Sequence, residues 1–395
     1  KKMALIKLNT RSIPDDAVTP AKVSQNLGRR NIIINGNYRI AQRATSIADP
    51  TSGDIAMDRW VLGMQTTTGV TTVTQSTDVP TAAESGSNFV NSIKWDVTTA
   101  DTSIAVTDRA YMQYKVEGQD IAHAGFGQSG TRYMTLSFWH KHTKTGIHSV
   151  AVNNGDRDRS YPMEYTQTTS DTWEKAELTF TVDTTGTWVT NTGVGLIIFF
   201  PLIMGSNYHG TANQWGTGQK YGTANQVNNL DSTSNNMLWT GVQLELGSVA
   251  TDFEHRSFAE ELAACQRYFF NPQYNLGTSY NLYACNYSVS TGNNGWITWI
   301  VPFHVPMRAS STFSHSLTNA KTVGSAAPGN GVDGWSFYVQ NQGYTGIAGN
   351  GNMSTLSGGG KYQGVVGTYY VSPSATTCSH IMVGNGCTFQ FNAEL

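Results

Sequence analysis

Short runs in which apolar residues recur at every second position dominate this chain, and they exclude most helical folds. Such alternation puts one set of side chains on each face of an extended strand, which specifies a sheet with one wet face. The cleanest run sets Ala176, Leu178, Phe180 and Val182 against Lys175, Glu177, Thr179 and Thr181. Ile93, Trp95 and Val97 share another face, as do Met112, Tyr114 and Val116, and again Met134, Leu136 and Phe138. The run from Val194 to Met204 is apolar on both faces and is predicted to lie centrally in its sheet, while Leu238, Val242, Leu244 and Leu246 mark a closing strand. Tight polar turns account for the 40 glycines and for a charged fraction of only 13%.

One segment reads as a helix. Ser257 and Glu260 have capping-box spacing, and Phe258, Leu262, Cys265 and Phe269 form one apolar stripe. Beyond it the strands resume. Trp296, Thr298 and Ile300 alternate with Ile297, Trp299 and Val301; Trp335, Phe337 and Val339 share a face; Cys387, Phe389 and Phe391 close the chain. Glycines interrupt the stretch from Asn319 to Lys361, which is expected to form exposed loops. No fixed period runs through the chain, which excludes a propeller or β-helix.

The predicted fold is therefore all-β: a jelly-roll-like β-sandwich, a short helix and a second C-terminal β-sandwich, preceded by an extended N-terminal arm. The expected boundaries are an arm over 1–30, a jelly-roll over 31–256, a linking helix over 257–270 and a head over 271–395. The jelly-roll should open with a strand at Ile32, Ile33 and Ile34, a turn at Asn35-Gly36-Asn37, and a further extended run from Tyr38 to Gln42.

A net charge of −2 excludes a nucleic-acid binder, which needs a basic face. The first 30 residues hold seven of the 25 basic residues and two of the 27 acidic ones, so they read as a separate basic arm. Ile13, Pro14, Val18, Pro20 and Val23 scatter through that arm, too few for a core of their own, and are expected to dock on a partner protein. No apolar run reaches membrane-span length, so no membrane insertion is expected. The lysine pair at the start is not followed by an apolar region, and no secretory leader is expected. Cys265, Cys285, Cys378 and Cys387 lack metal-site spacing and read as free thiols of a reducing cytoplasm, with a Cys378–Cys387 bridge open if their strands pair.

Catalytic signatures are absent from the sequence. GxSxG and HExxH do not occur, and Gly216-Thr217-Gly218-Gln219-Lys220 lacks phosphate-loop spacing. Asp156 and Asp158 are the best carboxylate pair, yet each precedes an arginine that would hold it ionised, so a salt-bridged turn is expected. Glu260 and Glu261 are adjacent on the helix and diverge. His140 and His142 share one strand face, but no acidic or thiol ligand lies beside them, and a surface histidine pair is expected rather than a metal site. No cofactor and no metal are expected.

Aromatics outside the strand pattern are the remaining signal. Tyr208, Trp215 and Tyr221 lie in a long polar stretch from Tyr208 to Asn236 with Asn207, Asn213 and Gln219 beside them, and Tyr338 and Tyr344 lie near Asn341 and Asn350. Ring faces with neighbouring amides suit sugars, so Tyr208, Trp215, Tyr221, Tyr338, Asn341 and Tyr344 are the candidate ligand residues. Trp60, Trp95, Trp239, Trp296, Trp299 and Trp335 fall on strand faces and are assigned to the core.

Four runs of residues resemble tailed-bacteriophage tail-fibre and receptor-binding proteins. Ile13 to Val23 (IPDDAVTPAKV) is similar to segments that mount fibres on the virion. Asn31 to Arg43 (NIIINGNYRIAQR), with Asp58-Arg59-Trp60, resembles the opening of a carbohydrate-binding jelly-roll. Val242 to Phe269 is similar to that module's closing strand and following helix, and Val305 to Ser310 with the terminal FNAEL completes the set. The resemblance implies a homotrimeric virion fibre, on tail or capsid, assembled in the bacterial cytoplasm. It implies attachment to other virion proteins through the arm and contact with a host glycan or outer-membrane protein through the distal β-domain. Modules of this kind often hold a structural calcium ion, but Asn37 and Tyr38 replace the acidic pair that would ligate it, so none is carried over. The alternatives are a purely architectural capsid or tail component, and a polysaccharide-degrading spike.

Overall fold

The computed structural model describes residues 29–271, 303–309 and 390–395 with their side chains, and the main chain of the strands between and beyond them. It is all-β, with antiparallel sheets throughout, as the alternation predicts. Two compact units are present. The first contains 29–37, Ala48–Asp54 and Leu62–Arg256; the second contains Tyr38–Ile47, Ile55–Val61 and the described residues from Ser257 onward.

The first unit is a sandwich of two six-stranded sheets. One sheet has the order β1(Ser46–Ala48), β3(Val70–Ser76), β4(Ser92–Thr99), β12(Asn236–Leu246), β6(Tyr133–His142), β9(Glu174–Thr181). The other has the order β11(Gly216–Thr217), β8(Arg159–Gln167), β7(Gly146–Asn154), β10(Val194–Met204), β5(Arg109–Glu117), β2(Trp60–Gln65). Rings from the two inner faces meet: Phe138 of β6 lies 5.0 Å from Tyr165 and 5.2 Å from Phe200 between centroids, and Phe180 of β9 lies 5.8 Å from Tyr161. Trp95 and Trp239 are fully buried in this layer, as their strand positions require.

β10 holds the central place predicted for it, between β5 and β7. Ile198 and Phe200 point inward. Ile197 and Phe199 point to the outer face, where they are equally buried.

The opening of the sandwich departs from expectation. Ile32 to Ile34 do not form a strand, because the Asn31 side chain takes over part of the pairing. Its amide donates to the Val242 carbonyl (3.2 Å) and its Oδ1 accepts from the Leu244 N–H (3.2 Å), while the Ile32 N–H donates to the Leu244 carbonyl (2.9 Å). Gly36 then lies so close to β12 that a Cβ there would stand 2.1 Å from the Val242 carbonyl oxygen. Only glycine fits that approach.

In the second unit, α1(Phe258–Gln266) carries the predicted capping box, with Ser257 accepting from the Glu260 N–H and Glu260 accepting from the Ser257 N–H. Leu262, Cys265 and Phe269 of its stripe are buried, whereas Phe258 is 42% exposed and lies under the Arg39 guanidinium. The strands of this unit pair as β13(Phe269–Phe270), β22(Phe389–Asn392), β17(Thr312–His315); as β14(Tyr280–Tyr283), β21(His380–Val383), β18(Trp335–Tyr338); and as β15(Cys285–Ser290), β16(Asn294–Pro302), β20(Gln363–Val371), β19(Met353–Thr355).

A buried ionic lattice ties distant segments of this unit together. Asp58 accepts from the Gln42 N–H (3.1 Å) and from its side-chain amide, and Arg43 stands 3.7 Å away. Glu394 pairs with Arg59 and, at 3.5 Å, with Arg43. The two guanidiniums lie over consecutive rings, Arg59 3.4 Å from the Tyr268 centroid and Arg43 3.5 Å from that of Phe269. Arg308 fixes the C-terminal end by donating to the carbonyls of Ala393 and Glu394, both at 2.9 Å. Burial pushes the Asp58 carboxyl up to about 6, against the opposing pull of Arg43 and Gln42.

Removing one partner of such a lattice leaves charge buried without compensation. Glu394→Ala is expected to lower the stability of the full chain by about 3–5 kcal/mol in denaturant unfolding. A loss below about 1 kcal/mol, typical of an exposed pair, would contradict this assignment.

Candidate functional site

The polar stretch after β10 lies fastened across the outer face of the second sheet. Ser149 of β7 meets Thr223 (3.2 Å), the Asn153 amide donates to the Lys220 carbonyl (3.3 Å), and the Gln226 and Asn229 amides donate to the Pro201 (3.2 Å) and Leu202 (3.0 Å) carbonyls. Side-chain amides thus replace the ladder bonds this segment lacks, which is why it has no strand period.

Tyr221 is fully buried beneath this covering. Its ring stacks on Phe199 at 4.2 Å and on Tyr208 at 5.5 Å, so both faces are occupied and it offers none to a ligand. The expectation that Tyr221 contacts ligand through its ring is corrected accordingly. Tyr208 is half-buried, with the Arg109 guanidinium 4.3 Å from its centroid. Burial raises the Tyr111 and Tyr221 hydroxyls above the ordinary tyrosine value, with Arg157 and Arg109 pulling both the other way.

Trp215 lies at the β8–β11 edge in a different setting. Its indole N–H donates to the Thr181 carbonyl (2.7 Å), and Trp188, Tyr161 and Phe126 surround it with centroids at 5.6, 5.3 and 6.3 Å. Trp188 stacks on Phe126 at 4.1 Å and donates its own N–H to the Thr185 carbonyl (2.8 Å). Both indoles are half-buried, and both N–H groups are held by main chain. Sequence periodicity did not single out Trp188; an indole in a glycine-bounded, strand-free segment was the available signal. Gly186, with φ 80°, makes the turn beneath it, where a Cβ would meet the Arg159 side chain at 2.7 Å.

The turn between β7 and β8 separates these two regions. Arg159 pairs with Asp183 (2.6 Å), and Arg157, at φ 62°, reaches over Phe199 (5.7 Å) and to the Tyr221 hydroxyl. Asp158 accepts from the Asn154 amide (2.6 Å), and among the described residues neither Asp156 nor Asp158 pairs with an arginine. The expected salt-bridged turn is therefore an amide-braced one, because both arginines are drawn to other groups. The two carboxylates stand at the surface of a hairpin loop.

His140 and His142 are buried rather than a surface pair, and a third ring, His148, stands 4.3 Å from His142. His140 Nδ1 bonds to Gln167 (2.8 Å), His142 Nε2 to the Tyr165 hydroxyl (3.1 Å), and His148 to the Lys144 carbonyl (3.1 Å) and the Asn229 amide (3.2 Å). Among the described residues no group of metal-ligating side chains is assembled. Burial lowers His140 and His148 to about 4 and His142 well below its ordinary value, so the cluster is neutral packing.

Of the other candidates, Tyr338 ends β18 opposite His380 of β21. Asn341, Tyr344 and the arm residues Ile13, Pro14, Val18, Pro20 and Val23 lie outside the described residues, as do Cys378 and Cys387.

No protein-family profile matches the chain, and no curated protein does. Solved structures with partial likeness include the enzymatically active domain of the bacteriophage CBA120 tailspike protein 4, at 14% identity and a TM-score of 0.28, over 55% of this chain and 21% of that one. The chain thus spans about a fifth of that tailspike domain's length. A putative sugar binding protein from Bacteroides thetaiotaomicron aligns at 12% identity and a TM-score of 0.29, over 55% of this chain and all of its own. The family 11 carbohydrate-binding module from Clostridium thermocellum aligns at 7% identity and a TM-score of 0.26, over 53% and 99%.

The histidine cluster sets a pH dependence. Above their ordinary value of 6.5 the rings are neutral in folded and unfolded chains alike. As pH falls from 6.5 towards about 4, the unfolded chain takes up protons that the folded chain refuses, and stability drops. The loss is on the order of 3 kcal/mol for each of His140 and His148. Asp58 acts with the opposite sign over its own range, so denaturant unfolding of the full chain is compared with His148→Asn, which should show a shallower fall between pH 7 and pH 4. Equal slopes would contradict the assignment.

Proposed function

We propose that this chain is a non-enzymatic, homotrimeric fibre protein of a bacteriophage virion that attaches through its N-terminal arm and recognises a glycan of the host surface. The observation that carries the glycan reading is the indole pair at the sandwich edge. Trp188 and Trp215 are half-buried, lie 5.6 Å apart, and are each locked by a main-chain hydrogen bond. A sugar ring presents a flat apolar face and a rim of hydroxyls. Rigid aromatic faces bind the first at small entropic cost, and nearby amides meet the second. Asn213 and Gln219, exposed in the same loop, supply such amides.

The fibre reading rests on the sequence resemblance. It is supported by the way parts of the quoted runs, Gln42 and Arg43 of Asn31 to Arg43, Asp58 and Arg59, Phe269 of Val242 to Phe269, and Glu394 of FNAEL, meet in one lattice in the second unit. Weak sites of this kind gain strength when three copies act together on a repeating polysaccharide.

Titration of the full-length protein with oligosaccharides from the host surface tests the glycan reading. Trp188→Ala and Trp215→Ala should each weaken binding about tenfold or more while the unfolding transition persists. Unchanged affinity in both variants would refute the indole site.

A further inference from the structure

The outer face of the second sheet carries a second set of polar groups that the indole edge does not use. Arg109 of β5 lies over Tyr208 and donates to Gln65; Arg157 lies over Phe199 and reaches the Tyr221 hydroxyl. Among the described residues neither guanidinium has a carboxylate partner, although Arg43, Arg59, Lys94, Lys141, Lys144, Arg159 and Lys175 each have one. Both cations face one aromatic group, Tyr111, Phe199, Tyr208 and Tyr221, whose charge-free surface cannot neutralise them.

A buried amide points the same way. Gln113 is only 6% exposed, and its register opposite Phe199 puts it on the outer face with Tyr111. Its Oε1 has no hydrogen-bond partner. Buried amide oxygens without partners cost about 1–3 kcal/mol each in a finished interior, and a ligand hydroxyl would satisfy them.

We infer that this face binds an acidic saccharide, with Arg109 and Arg157 holding the oxyanion of one sugar residue and Gln113 accepting from its hydroxyls. The inference rests on the glycan reading for the kind of molecule, on the two guanidiniums for the acidic group, and on the orphan Gln113 oxygen for a neighbouring hydroxyl. Planar guanidiniums stacked on rings keep their donors in place for an oxyanion, which a lysine in the same position would not. The oxyanion is a carboxylate of a uronic acid or a phosphate ester of a core sugar, two sources of one chemistry.

Equilibrium titration of the full-length protein with three probes separates the outcomes: trigalacturonate, neutral galactotriose and a glucose 6-phosphate glycoside. The proposal expects an acidic probe to bind at least about tenfold more tightly than the neutral one. That preference should fall with salt and disappear in Arg157→Gln and in Gln113→Glu, which sets a carboxylate at the same place. Binding of trigalacturonate alone identifies a carboxylate as the recognised group; preference for the phosphorylated probe identifies phosphate, and either supports the site. Equal binding of neutral and acidic probes, lost in Trp188→Ala but kept in Arg157→Gln and Gln113→Glu, would overturn this inference and leave the indole site standing. If Arg157→Gln lost its unfolding transition, Gln113→Glu alone would decide, and an unchanged acidic preference there would overturn the site.

Discussion

β10 is apolar on both faces and pairs on both sides, and the first unit is arranged around that constraint. Its inward residues, Ile198 and Phe200, are buried against the opposing sheet, and burial of each large side chain contributes about 1.5–3 kcal/mol. Its outward residues need cover as much, and within this unit neither sheet provides it. A polar loop does so instead, laying Tyr221 on Phe199 and Tyr208 on Tyr221; the Asn153 amide of β7 holds its Lys220 carbonyl, and its own Gln226 and Asn229 amides donate to the β10 carbonyls of Pro201 and Leu202. The same outer face carries Arg109 and Arg157 over its rings and the unpartnered Gln113 oxygen.

The strand faces were legible because period-two alternation maps directly onto a half-buried sheet. Trp95, Met134, Leu136, Phe138 and Phe180 all lie in the core where the pattern puts them, and the Ser257–Glu260 box starts α1. Ile32 to Ile34 look like a strand by composition, yet Asn31 satisfies β12 with its side chain, an interaction no periodicity encodes. The destinations of Tyr38–Ile47 and Ile55–Val61 were hidden for a related reason. They join the second unit through Gln42, Asp58 and Arg59, whose partners Phe269 and Glu394 are hundreds of positions away.

The site was only half legible. Aromatics outside a strand pattern stand out in the sequence as a class, but sequence cannot separate Trp215, which stays half-exposed, from Tyr221, which a neighbouring ring covers on each face. Trp188 escaped because its contact with Trp215 depends on two separate loops meeting at one sheet edge. His148 likewise completes the buried cluster of His140 and His142 from the adjoining sheet, so a spacing that suits a metal became packing for Tyr165 and Trp239. The arginines at 157 and 159 were expected to hold their neighbouring aspartates; a buried Asp183 and an aromatic face compete for them more strongly.

The central claim, that the first unit recognises a glycan, is tested most directly by a crystal structure of the full-length protein grown with oligosaccharide fragments of the host surface. The account predicts a sugar ring lying against Trp188 or Trp215, in contact with the loop that carries Asn213 and Gln219. Density for the sugar confined to the second unit, with the indole edge bare at saturating ligand, would contradict it.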